Sequence, residues 1–482
     1  MPAAIPDDYC FLTIAELNRK WRDKEFSAQE LAKAWCDRLE KFGPRYNALA
    51  LPAREQAIKK AKRADDELKR GRLHGPLQGI PFGAKDLLAT DGEPTTWGAR
   101  PFAGQVFDFD ATALKKLEKA GAILIGKLSM VELAGGGGYR FPAASLQGPG
   151  LNPWDRTRWS GGSSSGSGAA VAAGLAAFAL GSETWGSIMN PSAYCGVTGL
   201  RPTYGLVSRH GAMALSWTMD KIGALCRSAE DCGIVLQAIA GSDDADPGSA
   251  GKSFYYTPQY TRKISDLKIG YSPVDFNETV ESGMRADFLA ALEVFRAMGA
   301  KLVETKLPAM PYGATASTII AAEAASIFEP IIQDGRVNQL ADQKQIAGLK
   351  AGLEIAAKDY LKAMRIRRLV QEAMGKVFVD VDVLLSPSAF KVAPKISEPL
   401  DNPSPVPGSG INRPDSIGKG LRDLGAAGNL AGLPALSLPC GFAGGMPIGL
   451  SLVSRPFNEN LILALGVEFQ KRTDWHRRHP KL

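Results

Sequence analysis

Histidine is scarce in this chain. There are four in 482 residues, His74, His210, His476 and His479, and two of them fall near the C-terminus. That works against a Ser-His-Asp arrangement, in which imidazole is the base that activates serine. The six cysteines, Cys10, Cys36, Cys195, Cys226, Cys232 and Cys440, are scattered. None forms a C-x-x-C pair, so neither a zinc site nor a redox motif is expected, and buried thiols in a reducing compartment are. No acidic cluster has metal-ligand spacing, and no metal or cofactor is implied. Gly166-Ser167-Gly168 does not extend to G-x-G-x-x-G, because position 171 is Val; a dinucleotide fingerprint is therefore missing. Long hydrophobic runs are also missing. The most apolar stretch, Ala169 to Leu180, is too short to span a bilayer. The first ten residues carry Asp7 and Asp8 and no apolar run, so no secretory leader is expected and the cytoplasm is the default location.

Excess charge is small as well: 57 basic and 50 acidic residues leave +7. The basic tail Trp475 to Lys481 is expected to be a solvated, frayed terminus rather than a nucleic-acid contact. Neither a nucleic acid nor a membrane is an expected partner.

What is abundant is apolar residues, at 45%, and glycine, at 52 residues. A sizeable core follows from the first. Glycine gathers at 135–138 and 161–168, where backbone must turn with positive φ or approach something closely. Ser27-Ala28-Gln29-Glu30 reads as a capping box before Leu31, Ala34, Trp35 and Leu39 on one helix face. A charged helix is expected from Ala53 to Arg70, another from Ala111 to Ala120, and a strand at Ile123 to Ile125. A small-residue helix is expected over Ala169 to Ala177. Residues 264–303 repeat strand, helix, strand, and 310–376 read as a helical, charged peripheral layer. Pro387 to Pro414 reads as a long surface loop, with late strands at Ala435 to Pro439 and Ile448 to Val453. Recurring strand, helix, strand argues for α/β. One domain is expected over 1–482: N-terminal helices in 10–70, a core in 75–235, the helical layer, and C-terminal strands in 380–482.

Three segments carry chemistry. Lys85 ends Gly79-Ile80-Pro81-Phe82-Gly83-Ala84-Lys85-Asp86. A serine-glycine tract runs from Ser160 to Gly168 through Ser163. Gly181-Ser182-Glu183-Thr184-Trp185-Gly186-Ser187 follows. Each is ordinary alone: Lys-Asp pairs are usually on the surface, and Ser/Gly runs are usually linkers. Gly162-Ser163-Ser164-Ser165-Gly166 matches G-x-S-x-G, but that pattern is weak inside such a tract and no strong strand precedes it. Order and spacing make the combination specific. Together the segments resemble the amidase signature family of serine hydrolases. Further resemblance lies in Asn152-Pro153-Trp154, Cys195 to Thr203, Gly428 to Ala435 and Gly445 to Gly449.

The resemblance implies an α/β/α layered domain on a mixed sheet and a Ser-Ser-Lys triad that needs no histidine. Ser187 would be the nucleophile, Lys85 a neutral base, and Ser163 the bridge between them, preceded by a cis peptide bond. A hydroxyl suits the bridge because it both donates and accepts; burial suits the lysine because it disfavours the ammonium. Backbone N–H groups of Thr184, Trp185, Gly186 and Ser187 would hold the oxyanion. Gly136, Gly137, Tyr139, Phe141 and Trp185 are candidate substrate contacts.

The chain departs from the family's common G-[ST]-D-x-G-G-S-I-R at three positions: Glu183, Trp185 and Met189. Glu183 and Met189 cannot form the acid–arginine pair, so Glu183 is expected to find Arg201 or backbone donors. Trp97, Tyr139, Phe141, Trp185 and Trp217 suggest an apolar or aromatic substrate. The expected function is therefore an amidase forming an acyl-enzyme on Ser187, acting on small apolar or aryl amides, with ester and carbamate hydrolysis within family range and a homodimer as the assembly. The alternative is the A subunit of a tRNA-dependent amidotransferase, acting as its glutaminase.

Overall fold

The computed structural model describes residues 5–401 and 420–481. Its strands are β1 (Leu49–Pro52), β2 (Pro81–Lys85), β3 (Ile123–Leu128), β4 (Phe178–Glu183), β5 (Thr198–Arg201), β6 (Lys221–Cys226), β7 (Lys268–Tyr271), β8 (Lys301–Glu304), β9 (Val383–Pro387), β10 (Ala435–Ala443) and β11 (Met446–Ser454). They form one eleven-stranded sheet in the order β1-β3-β2-β4-β6-β5-β10-β11-β9-β7-β8. The β3-β2-β4 and β9-β7-β8 neighbours are parallel, while β4-β6-β5-β10-β11-β9 and β1-β3 are antiparallel. The sheet is mixed and covered by helices, as the resemblance implied.

Local signals account for the outer helices. Ser27 caps helix Ala28–Phe42 with the reciprocal bonds of a capping box: its hydroxyl accepts from Glu30 N, and Glu30 Oε2 accepts from Ser27 N. Leu31, Trp35 and Leu39 are buried beneath it. The small-residue helix both begins and ends earlier than expected, spanning Ser165–Ala172 rather than Ala169 to Ala177, because the serine-glycine tract itself supplies its first turns. Every residue of it is buried. Glycine is demanded there by space: a Cβ on Gly166 would lie 2.5–2.7 Å from backbone atoms of Ala48 and Ser129.

Other expectations need correction. The region after residue 380 is not strands alone; helices Leu424–Leu430 and Glu459–Arg472 alternate with them. The basic tail is not frayed. His476 is 8% exposed, the Arg227 guanidinium donates to the carbonyls of His476 and Arg478, both at 3.2 Å, and the His479 ring stacks on Phe11 at 3.6 Å. Arg227 is itself buried, and three backbone carbonyls are the partners it finds. Within the expected loop 387–414, residues 402–414 lie outside the described residues. Among the described residues one helix, Tyr312–Gln333, is long and apolar enough to cross a membrane by length and composition. In this fold it packs against helices Gln343–Gly352 and Ala357–Asp380. It also buries Glu323, whose carboxylate accepts from Ser216, Thr218 and Tyr360.

Two glycines separate space from conformation. Gly166→Ala should lower stability by about 3 kcal/mol, because rigid backbone must move to admit a methyl group. Gly375→Ala, in helix Ala357–Asp380 with open space around it, should raise stability by about 0.5–1 kcal/mol. Urea melts of both variants check the pair.

Candidate active site

β2 and β4 run parallel as neighbours, with Ala84 opposite Leu180, so their carboxyl ends open on the same edge of the sheet. Lys85 is the last residue of β2; Ser182 and Glu183 end β4. The turn after β4 carries Ser187, and the serine-glycine tract brings Ser163 to the same place. The Gly162–Ser163 peptide bond is cis, as the resemblance implied. Gly186 sits at φ +87° with open space around its Cα, so the left-handed backbone, not crowding, calls for glycine there.

Lys85 is completely buried. Its Nζ donates to Ser163 Oγ at 2.7 Å and to Ser182 Oγ at 2.9 Å. Burial pushes its pKa down to about 7, against the pull of the Asp220 and Glu183 charges. A neutral amine in this position has a lone pair for the Ser163 hydroxyl proton and still donates to Ser182. The Ser187 hydroxyl forms no hydrogen bond among the described residues, and Ser187 lines a cavity of about 500 Å³. The backbone N–H groups of Trp185, Gly186 and Ser187 also donate to nothing among the described residues. Unpaired donors beside a free hydroxyl form an arrangement that can receive a developing oxyanion.

Of the candidate contacts, Gly137, Tyr139 and Trp185 line this cavity, together with Trp159, Gly162 and Thr184. Gly136 and Phe141 are not among its lining residues. Phe141 is 36% exposed beneath the Arg140 guanidinium. Trp97 packs in a cluster with Phe102, Phe107 and Phe328, and Trp217 is 43% exposed. The glycine loop is tied to the helical layer. Asp342 caps helix Gln343–Gly352 and also accepts from the backbone of Arg140 and Phe141. Buried Glu132 accepts from the backbone of Ala341 and Asp342.

Glu183 has the partners the sequence offered. Arg201 Nη1 donates to Oε1 at 2.7 Å, and the backbone of Ile188 and Met189 donates to Oε2 at 2.9 and 3.0 Å. Asn429 adds a fourth donor at 3.0 Å. Burial alone would raise the Glu183 pKa, but the Arg201 charge and these donors hold it at about 2. The acid–arginine pair is therefore made, with its arginine supplied from β5. Sequence reasoning gave no role to Ser182, although it lies inside the second motif. It also missed Asn429 and the half-buried Asp220, which accepts from Thr184 Oγ1 at 2.5 Å.

The amidase family model matches residues 30–463. The chain belongs to the amidase signature family, enzymes that act on carbon–nitrogen bonds. It is 36% identical to the A subunit of the Glutamyl-tRNA(Gln) amidotransferase of Chloroflexus aggregans over 98% of both chains. Among solved structures, the peptide amidase of Stenotrophomonas maltophilia is 30% identical, with a TM-score of 0.83 over 99% of each chain. The A subunit of the Glutamyl-tRNA(Gln) amidotransferase of Thermotoga maritima is 28% identical, with a TM-score of 0.78 over 99% of each chain. These relatives correct two expectations. The reading as an amidase of apolar or aryl substrates, with ester and carbamate hydrolysis, gives way to the alternative. So does the expectation of a small-molecule substrate alone, a homodimer and no nucleic acid, because the curated relatives are subunits of an enzyme named for a tRNA.

Glu183→Gln should leave Arg201 buried beside a neutral group. A loss of about 3–5 kcal/mol in stability is expected, as for other broken buried pairs. Chemical denaturation measures it, and a variant as stable as the parent would contradict this account of the turn.

Proposed function

We propose that this chain is the glutaminase, or A, subunit of a tRNA-dependent amidotransferase. It would release ammonia from glutamine for a partner protein that amidates a misacylated tRNA. The supporting observation is the 36% identity to such a protein across 98% of both chains. Glu183 and Met189 depart from the family's common acid–arginine pair, but Arg201 supplies Glu183 with the arginine missing at 189, so the departures do not count against this reading.

In this reading Ser187 Oγ attacks the side-chain carboxamide of glutamine. Its proton passes to Ser163, whose own proton passes to the neutral Nζ of Lys85. The oxyanion is held by the free N–H groups of the turn. The relay then returns a proton to the leaving nitrogen, so ammonia departs and a γ-glutamyl ester remains on Ser187. Water attacks that ester, giving its proton to the same relay, and glutamate leaves.

The assay is ammonia release from glutamine by the chain alone and with its B and C partner subunits, alongside amidation of glutamyl-tRNA. Partner-dependent glutaminase activity that vanishes in Ser187→Ala is expected. Absence of glutaminase activity in the assembled complex would overturn the reading. Lys85→Ala should lose several orders of magnitude in kcat, and Lys85→Arg should not recover it, since guanidinium stays protonated.

The pH profile has a fixed sign. The active Lys85 is the deprotonated form, so activity should rise through about pH 7 and level off above it. A rate that falls across that interval would contradict the assignment of Lys85 as base.

A further inference from the structure

We propose that Lys221 is a positioning residue for the oxyanion turn, holding the Thr184 carbonyl so that the Trp185 N–H is aimed at the carbonyl oxygen under attack by Ser187. The relay from Ser187 through Ser163 to Lys85 makes no use of this second buried amine. Lys221 opens β6, directly opposite Glu183 on β4, and is 2% exposed. Its Nζ donates to the Thr184 carbonyl at 3.3 Å, to Asn429 Oδ1 at 2.7 Å and to the Met219 carbonyl. None of these three partners is a carboxylate, so the amine acts here as a hydrogen-bond donor rather than as half of an ion pair.

The Thr184 carbonyl matters because of the peptide unit it belongs to. A trans peptide unit is planar, and its C=O and N–H point to opposite sides. Fixing the Thr184 oxygen therefore fixes the direction of the Trp185 N–H. Two cavities identify those sides. Lys221, Asp220 and Ser182 line one of about 470 Å³. Trp185 and Ser187 line the cavity of about 500 Å³ at the nucleophile, and Thr184 lines both. The turn is thus a partition. Its carbonyl is held from the far side, which leaves the unpaired Trp185 N–H for the side of Ser187.

Two further contacts stiffen the hold. Asp220, next to Lys221, accepts from Thr184 Oγ1 and from the backbone of Leu215 and Ser216. Asn429, oriented by Lys221 at its oxygen, donates through Nδ2 to Glu183, which accepts in turn from the backbone of Ile188 and Met189. One amine therefore fastens the turn both before and after Ser187. A donor fixed in advance costs no reorganisation when charge develops.

Labelling by a fluorophosphonate tests the turn without glutamine, so it stands apart from the glutaminase reading. The probe phosphonylates Ser187 with loss of fluoride and sets its P=O oxygen against the same donors. Lys221→Met keeps an unbranched stem and removes the donor. Its limiting labelling rate should fall about tenfold or more, short of the ~10²–10³ lost with a deleted oxyanion donor, while the half-saturating probe concentration holds. Lys221→Gln drops the charge but keeps a donor, and should recover most of that rate. Carbonyl-¹³C threonine with ¹⁵N tryptophan isolates two peptide bonds by NMR, Thr96–Trp97 and Thr184–Trp185. The second signal should move in Lys221→Met and the first should stay. A wild-type rate in folded Lys221→Met, equal losses in the Met and Gln variants, or an unmoved Thr184–Trp185 signal would each overturn the proposal. Should Lys221→Met fail to fold, the wild type decides: phosphonylation should shift the Trp185 amide proton, and an unmoved proton would overturn it.

Discussion

The arrangement depends on one buried amine. Lys85 has no solvent contact, and the groups in hydrogen-bond reach of its Nζ are two serine hydroxyls, not a carboxylate. An ammonium there loses its hydration without gaining an ion pair, so the neutral amine is favoured. That is what a base near neutral pH requires. The nearby lysine shows the contrast: Lys127, equally buried one strand away, lies 3.2 Å from Asp86. The sheet thus holds a paired lysine for structure and an unpaired one facing the serines.

Everything around Lys85 serves to place hydroxyls and backbone N–H groups against it. Parallel pairing of β2 and β4 sets the lysine beside Ser182. The all-buried helix Ser165–Ala172 fits beneath because its residues are small, and this fixes Ser163 at the helix entrance. The buried Glu183–Arg201 pair then ties the turn that carries Ser187 to β5, while Asn429 ties it to helix Leu424–Leu430. Such a buried pair is weak evidence for stability, yet breaking it is expensive, which makes it a stiff support for the turn. In the glutaminase reading, this stiffness keeps the oxyanion donors aimed while protons move.

Much of this was legible in the sequence because the determinants are local. The capping box at Ser27, the small-residue helix and the strand–helix order are written within a few residues. The two serine motifs and Lys85 are also short segments with recognisable order. Arg201 could be named for Glu183 because it lies close in sequence. Asn429 could not, since it reaches Glu183 only through the neighbourhood of β5, β10 and the following fold. The tail misled for a similar reason: its charges suggest solvent, but its docking depends on Arg227 and Phe11, far away along the chain. The aromatic residues misled about substrate because Trp97 is engaged in packing and Phe141 faces solvent, so their number says little about the ligand. The proposed substrate class rests on comparison with whole relatives rather than on the composition of the pocket.

The central claim is that Lys85 is neutral when the site works. Isotope labelling of the lysine side chains, with Lys85→Ala used to assign the resonance, allows its ammonium to be titrated by NMR. The account predicts a midpoint of about 7, as burial imposes. A midpoint near 10.4, the value of an unperturbed lysine, would contradict it.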